Sequence, residues 1–174
     1  VFELGCGTGR VARALLAERL PSEAEYAGVD LSPEMVRLAR ERLAPFAERA
    51  RVRLTDGSLP LPEPDGWADR FLSTYVLDLL SGDEIRAVLS EARRVLRPGG
   101  LLCLVSLTRG VNPLSRAVVT VWGALHALSP RLVGGCRPLD LEDFVREQDG
   151  WKTRHRERLA AFGVPSEVLV AERA

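Results

Sequence analysis

Val1-Phe2-Glu3-Leu4-Gly5-Cys6-Gly7-Thr8-Gly9-Arg10 begins as a short apolar run and passes directly into three glycines at alternate positions. A helical pattern follows at once through Val11, Ala12, Ala14, Leu15 and Leu16. Glycine has no Cβ, so the chain can turn tightly there and bring backbone N–H groups against a ligand. The helix behind the turn adds its own unpaired N–H groups and the positive end of its dipole. Together these predict a cradle for a polar or anionic ligand group at the carboxyl edge of a parallel sheet.

A glycine turn alone is a weak signal, and a second one reinforces it. Tyr26-Ala27-Gly28-Val29-Asp30 reads as another short strand ending on a carboxylate, and Asp30 lies 21 positions after Gly9. That is the distance from the first strand, through its helix, to the tip of the second. A carboxylate at that tip can accept both hydroxyl protons of a ribose and would repel a 2′-phosphate. The competing reading makes Asp30 the cap of the next helix, a task for which Ser32 followed by Pro33 is better suited.

The third glycine separates two nucleotide folds. The dinucleotide fingerprint is G-x-G-x-x-G, whereas Gly5, Gly7 and Gly9 read G-x-G-x-G, with Glu3 two residues ahead. In this E-x-G-x-G-x-G form the chain resembles the class I S-adenosylmethionine-dependent methyltransferases. Further segments carry the resemblance: Asp30 as the ribose acid, Asp56 after the apolar strand Val52–Thr55, Ala68–Leu77 as the fourth strand and its loop, and Glu91–Gly100 as the helix end and turn before the fifth.

The resemblance implies S-adenosylmethionine as cofactor. On that reading the backbone of Gly5, Cys6, Gly7, Thr8 and Gly9 packs against the methionine part and the ribose. Glu3 orients the loop or reaches the ammonium, and Leu31 and Met35 flank the adenine. Asp56 takes the adenine amino group, with Gly57 and Ser58 beside it, and Thr74 lies at the end of the fourth strand. Met35 reads equally well as helix core. Tyr75 and Asp78 are candidates for acceptor contact or proton removal, with a structural role near a helix start as the alternative for Asp78. The stretch Ser73-Thr74-Tyr75-Val76 departs from the Asn/Asp-Pro-Pro-aromatic motif of enzymes that methylate amino groups of DNA bases.

At 174 residues, 46% hydrophobic and 28% charged, the chain has the composition of one globular domain with an ample core. Lys+Arg and Asp+Glu are both 24, so net charge offers no footing for nucleic acid. The three cysteines, Cys6, Cys103 and Cys136, have neither metal-ligand nor disulfide spacing, and no zinc or calcium pattern occurs. A reducing cytoplasm is the matching expectation. Cys6, near a helix start, reads either as a reactive thiol or as the small residue between two glycines. No apolar stretch reaches the ~20 residues of a membrane span. The chain opens on Val1, inside the first strand, which leads us to expect that an N-terminal segment precedes it.

Apolar runs alternate with helical patterns: strands at Val1–Leu4, Glu25–Asp30, Arg51–Thr55, Ala68–Thr74 and Leu101–Leu107, helices from Val11 to Leu20, Pro33 to Ala44 and Asp83 to Leu96, and a proline-rich loop at Leu59–Gly66. This predicts a doubly wound α/β domain with helices on both faces of a parallel sheet. Trp151–Arg158 and Val168–Arg173 read as two strands joined by the loop Leu159–Glu167, too short for a crossover, and so antiparallel. The family resemblance places that hairpin beside strand five, giving a seven-stranded, mostly parallel sheet of order 3-2-1-4-5-7-6. Lys152, Arg154, Arg156 and Arg158 share one face by the two-residue period, which is expected of a charged edge strand.

Between strand five and the tail, residues 111–138 form an apolar helical insertion. Leu114, Ala117, Val118, Val121, Leu125 and Leu128 make one stripe, widened by Val119 and Trp122, and predict burial on two sides. Core or subunit contact competes with a lid over the crevice, which would suit an apolar or amphiphilic acceptor such as a quinone, polyketide or lipid head group. His126 is a candidate base, and Arg137 a candidate contact for an anionic acceptor group. The expected function is in-line methyl transfer to a small molecule. A non-catalytic cofactor binder and a nicotinamide-dependent oxidoreductase are the alternatives.

Overall fold

The computed structural model describes residues 1–128, 136–161 and 163–174. Its elements alternate as expected: β1 (Phe2–Leu4), α1 (Arg10–Glu18), β2 (Tyr26–Asp30), α2 (Pro33–Leu43), β3 (Ala50–Leu54), β4 (Ala68–Thr74) and α3 (Gly82–Val95). There follow β5 (Leu96–Leu107), α4 (Pro113–Leu128), α5 (Leu141–Arg146), β6 (Trp151–Ala161) and β7 (Val164–Arg173). The strands form one seven-stranded sheet of order β3-β2-β1-β4-β5-β7-β6, parallel from β3 to β5 and antiparallel at β7 and β6. The expected fold class and strand order are both found.

Local chemistry explains the helices that frame the site. Ser32 accepts a hydrogen bond from the Met35 N–H at 3.3 Å, and Pro33 fits the first helical position, so Ser32 caps α2. α3 starts with a capping box in which Ser81 and Glu84 each satisfy the other's backbone N–H. Cys6, Ala12, Leu16, Tyr26, Val36 and Ala39 build the core on one face of the sheet. Phe2, Phe71, Ile85, Leu102, Leu104 and Leu169 build the core on the other.

Three expectations about the C-terminal half are corrected. Most of Leu159–Glu167 is strand: the β6–β7 ladder runs from Trp151 opposite Arg173 to Ala161 opposite Val164. Pro165, Ser166 and Glu167 are buried there, whereas Leu159 and Val164 are exposed. Next, a register shift between Thr153 and His155 breaks the alternation of β6, so Lys152 lies opposite Glu172 whereas Arg156 lies opposite Leu169. Because side chains alternate along β7, these two cations point to opposite faces. The basic residues are also neutralised internally: Arg156 meets Asp140 at 2.7 Å and Glu167 at 2.5 Å as well as Glu142, and Arg154 meets Glu172 at 2.5 Å.

The third correction concerns α4. It is seated by Val118, Val119 and Trp122 against Leu107, Thr108, Pro138, Val164 and Pro165 at the end of β5 and β7. Leu114, Ala117, Val121 and Leu128 of the expected buried stripe are exposed instead. Trp122 anchors the helix by donating Nε1–H to the Cys136 carbonyl at 3.0 Å. The side chains of Leu125 and His126 lie outside the described residues, as does the segment 129–135.

Candidate active site

Where the strand order reverses, between β1 and β4, the carboxyl edge of the sheet opens into a cleft of about 460 Å³. Gly5 and Gly7 line its floor, and Asp30, Leu31 and Ser32 one wall. Thr55, Gly57, Ser58, Leu59 and Leu61 close one end, and Thr74, Tyr75, Val76, Leu79 and Leu80 the other. A cleft of this size holds a drug-sized or nucleoside-sized ligand.

The three glycines are all left-handed, with φ of 72°, 51° and 71° at Gly5, Gly7 and Gly9. Their reasons differ. A Cβ on Gly5 would lie 2.3 Å from Val76 Cγ2, and one on Gly9 3.2 Å from Ala39 of α2. Gly7 has nothing within 4 Å of its missing Cβ. Gly5 and Gly9 are therefore demanded by packing, and Gly7 leaves open space on the cleft floor.

The expected cradle of open N–H groups is corrected by the hydrogen bonds. Gly5 and Cys6 both donate to the Val29 carbonyl, at 2.9 and 3.0 Å, and Gly9 donates to the Cys6 carbonyl at 2.9 Å. Gly7 donates to Asp30 Oδ2 at 2.8 Å. Three of these donors hold the loop to β2 and the fourth, Gly9, closes the turn on itself, so these four amides are already satisfied. Asp30 also accepts from the Ser32 N–H through Oδ1 at 2.9 Å. Each carboxylate oxygen then keeps further lone-pair capacity toward the cleft.

Glu3 is 1% exposed beneath the loop and accepts the Tyr26 hydroxyl proton at 2.5 Å. Burial pushes its carboxyl up to about 7, against the opposing pull of that hydrogen bond. Gly28, opposite Glu3 in the β1–β2 register, makes room for the pair, because a Cβ there would lie 2.6 Å from the Tyr26 hydroxyl. A glycine inside the second strand was the sequence signal for this arrangement. Cys6 is packed in the α1–α2 core, and burial pushes its thiol up to about 12, which removes it as a nucleophile.

Other candidates are spread more widely. Asp56 is exposed at the end of β3, where its Oδ1 accepts from the Ser58 N–H at 2.9 Å and hydroxyl at 2.6 Å, holding its carboxyl below the usual range. It lines a shallower hollow beside the cleft, shared with Ser58 and Thr55. Thr8 and Met35 do not line the cleft; the Thr8 carbonyl instead accepts from Arg42.

Tyr75 lines the cleft and is the one non-glycine residue at positive φ among the described residues, at 56°. A bulky residue in that conformation is strained. Its N–H bonds the Val105 carbonyl at 2.8 Å, and its hydroxyl lies 2.8 Å from Ser166 Oγ on β7. Ser166 carries no sequence signal of its own. Asp78 is fully buried behind the lining, in the short turn Leu77–Leu79, and neither carboxylate oxygen has a well-formed hydrogen bond among the described residues. Burial raises its pKa. It does not line the cleft, although its neighbours Val76, Leu79 and Leu80 do. Arg137 is turned inward too, donating to the Leu80 carbonyl at 2.7 Å.

Known proteins resemble this chain in sequence and in fold. The chain is 36% identical over 119 residues to the demethylmenaquinone methyltransferase of Tropheryma whipplei strain Twist, covering 67% of this chain and 46% of that protein. It is 37% identical over 107 residues to the carboxy-S-adenosyl-L-methionine synthase of Chromohalobacter salexigens, covering 60% of this chain and 38% of the relative. The chain thus spans less than half the length of either. The magnesium protoporphyrin IX methyltransferase of Synechocystis PCC 6803, solved with bound SAH, superposes with a TM-score of 0.72 over 99% of this chain and 73% of that one, at 19% identity, and so shares the fold. The methyltransferase-domain family model matches residues 1–100, more than half of the chain. This chain belongs to that methyltransferase-domain family.

Proposed function

We propose that the cleft binds S-adenosylmethionine and that the protein transfers its methyl group to a small, apolar or amphiphilic molecule. The observation that carries this reading is Gly7: open space on the floor of a nucleoside-sized cleft, with its N–H fixed to the carboxylate that would meet the ribose. Asp30 would hold the ribose hydroxyls. Leu31, Gly57, Ser58 and Leu59 would enclose the adenine, and Thr74, Tyr75 and Val76 would border the reacting end. Glu3, beneath the loop, would fix its position from below.

The cofactor supplies a methyl group on a sulfonium sulfur, already activated for displacement. The protein's part is to align the acceptor and exclude water, which can lower a barrier by roughly 7–11 kcal/mol. Apart from Asp30, Tyr75 is the one titratable side chain lining the cleft among the described residues. The cleft wall therefore suits an acceptor whose nucleophile arrives anionic or as electron-rich carbon, with the Tyr75 hydroxyl on the cleft wall beside Thr74. The names of the methylating relatives, which include ubiquinone/menaquinone C-methyltransferases, are consistent with such an acceptor.

Calorimetric titration with S-adenosylmethionine, its demethylated product and NAD tests the cofactor assignment. Binding of the first two is expected, and binding of NAD alone would overturn it. Incubation with methyl-labelled cofactor and a metabolite extract then tests catalysis. Transfer of label to an extractable small molecule is expected; cofactor binding with no labelled product would instead favour a non-catalytic binder.

A further inference from the structure

Acidic residues are unevenly spread along this chain. Asp and Glu total 24, equal to Lys and Arg, yet none occurs between Glu91 and Asp140, an interval that holds seven arginines. Some of these are engaged: Arg94 pairs with Glu91 and Asp65, Arg97 with Asp69, and Arg137 with the Leu80 carbonyl. Arg109 and Arg116, which flank the start of α4, are exposed and form no ion pair among the described residues.

The outer face of α4 is apolar. Leu114, Ala117, Val121, Ala124 and Leu128 follow one another at alternating three- and four-residue spacings, and all are exposed. Leu114, Val121 and Leu128 are 66%, 60% and 78% exposed. The helix cannot roll to hide them without unseating Val118, Val119 and Trp122 from the end of β5 and β7. A continuous apolar stripe of this kind marks an interaction surface.

Charge selects the occupant. A second copy would bring two acid-free, arginine-flanked segments together. An anionic lipid surface satisfies both features: the apolar stripe enters the head-group boundary while the arginines meet lipid phosphates. With 16 residues α4 is shorter than the ~20 needed to span a bilayer, so it would lie in the plane. The cleft opens on the same edge of the sheet, and Leu31, Leu59 and Leu79 stand exposed on its rim.

We infer that α4 is an interfacial anchor that docks the protein on anionic phospholipid bilayers, rim first. This does not rest on the methyl-transfer reading, since docking needs no cofactor. The test is co-sedimentation of the protein with phosphatidylglycerol-containing vesicles and with pure phosphatidylcholine vesicles. Binding to the anionic vesicles is expected to be stronger by about tenfold or more, and to weaken with added salt. Replacing Leu114, Val121 and Leu128 together by serine should reduce it by at least about tenfold, given the apolar area withdrawn. That variant should keep the circular-dichroism spectrum and cooperative thermal unfolding of the unmodified protein, which shows that the fold is kept without reference to vesicles. Changing Arg109 and Arg116 to glutamine should abolish the preference for anionic vesicles. Absence of vesicle binding by the unmodified protein, or binding unaltered by the triple-serine change, would overturn the inference. A dimer in solution that the same change converts to monomer, with no vesicle binding, would assign α4 to a subunit contact instead.

Discussion

The Gly7 N–H and Asp30 Oδ2 lie 2.8 Å apart, so the cleft-lining carboxylate and the glycine turn form one hydrogen-bonded unit. Replacing Asp30 by alanine removes that tie, the bond to Ser32 and, on the proposed reading, the acceptor for a ribose. Charge-assisted hydrogen bonds of this kind contribute ~1.5–3 kcal/mol each. Affinity for S-adenosylmethionine should fall by at least about tenfold in calorimetry, with the circular-dichroism spectrum unchanged.

The glycines should separate by consequence. Gly5→Ala and Gly9→Ala drive a Cβ into Val76 or Ala39 and should lower the melting temperature. Gly7→Ala carries only the left-handed backbone cost of ~1–2 kcal/mol, because no protein atom lies within 4 Å. It should therefore fold, yet lose cofactor binding. Thermal unfolding paired with ligand titration checks both halves.

Glu3 should make stability depend on pH. Its carboxyl is raised from 4.5 to about 7 on folding, so the folded chain holds the proton more tightly. The stabilisation is complete below about pH 4.5 and is lost as pH rises through about 7, in total about 3 kcal/mol. Denaturant unfolding across that window should show the decline, and Glu3→Gln should flatten it.

Tyr75 should show a trade of stability for geometry. Tyr75→Gly relieves the positive φ at a saving of ~1–2 kcal/mol against a lost hydrogen bond to Ser166 worth about 1. The variant should melt no lower than the unmodified protein while methyl transfer to the labelled product drops. A clear fall in melting temperature would show that the ring is needed for packing.

Asp78, buried with poorly matched surroundings and a raised pKa, should be replaceable. Asp78→Asn keeps the shape and cannot ionise, so stability above neutral pH should rise, because the folded-state cost of ionisation is gone. Methyl transfer should persist. Loss of transfer with cofactor binding intact would return Asp78 to the mechanism.

The parallel half of the fold was legible because its rules are local. Ser32-Pro33, Ser81-x-x-Glu84 and the apolar strands each specify their own element, and the strand-end carboxylate at Asp30 falls where the glycine turn can reach it. The hairpin was less legible: a register shift near Arg154 reverses which face later side chains take, and periodicity cannot reveal it. α4 misled for a related reason, since an apolar stripe states only that some partner is needed and does not say which side the domain will cover. In the site, Asp30, Gly7 and Tyr75 could be read from motif and position. Ser166 could not, because its partner lies 91 residues away and meets it only through the sheet, and for Tyr26 the one trace was Gly28.

The glycine turn has a consequence for how quickly a ligand is taken up. With Gly5, Cys6, Gly7 and Gly9 already bonded to Val29, Asp30 and the turn itself, the mould exists before anything enters it. Little chain entropy remains to be lost at that surface, so association should be limited by access and not by ordering. If methyl transfer occurs there as proposed, the spent cofactor, which differs only at sulfur, would fit the same rigid cast almost as well, and product escape would be the natural brake on turnover.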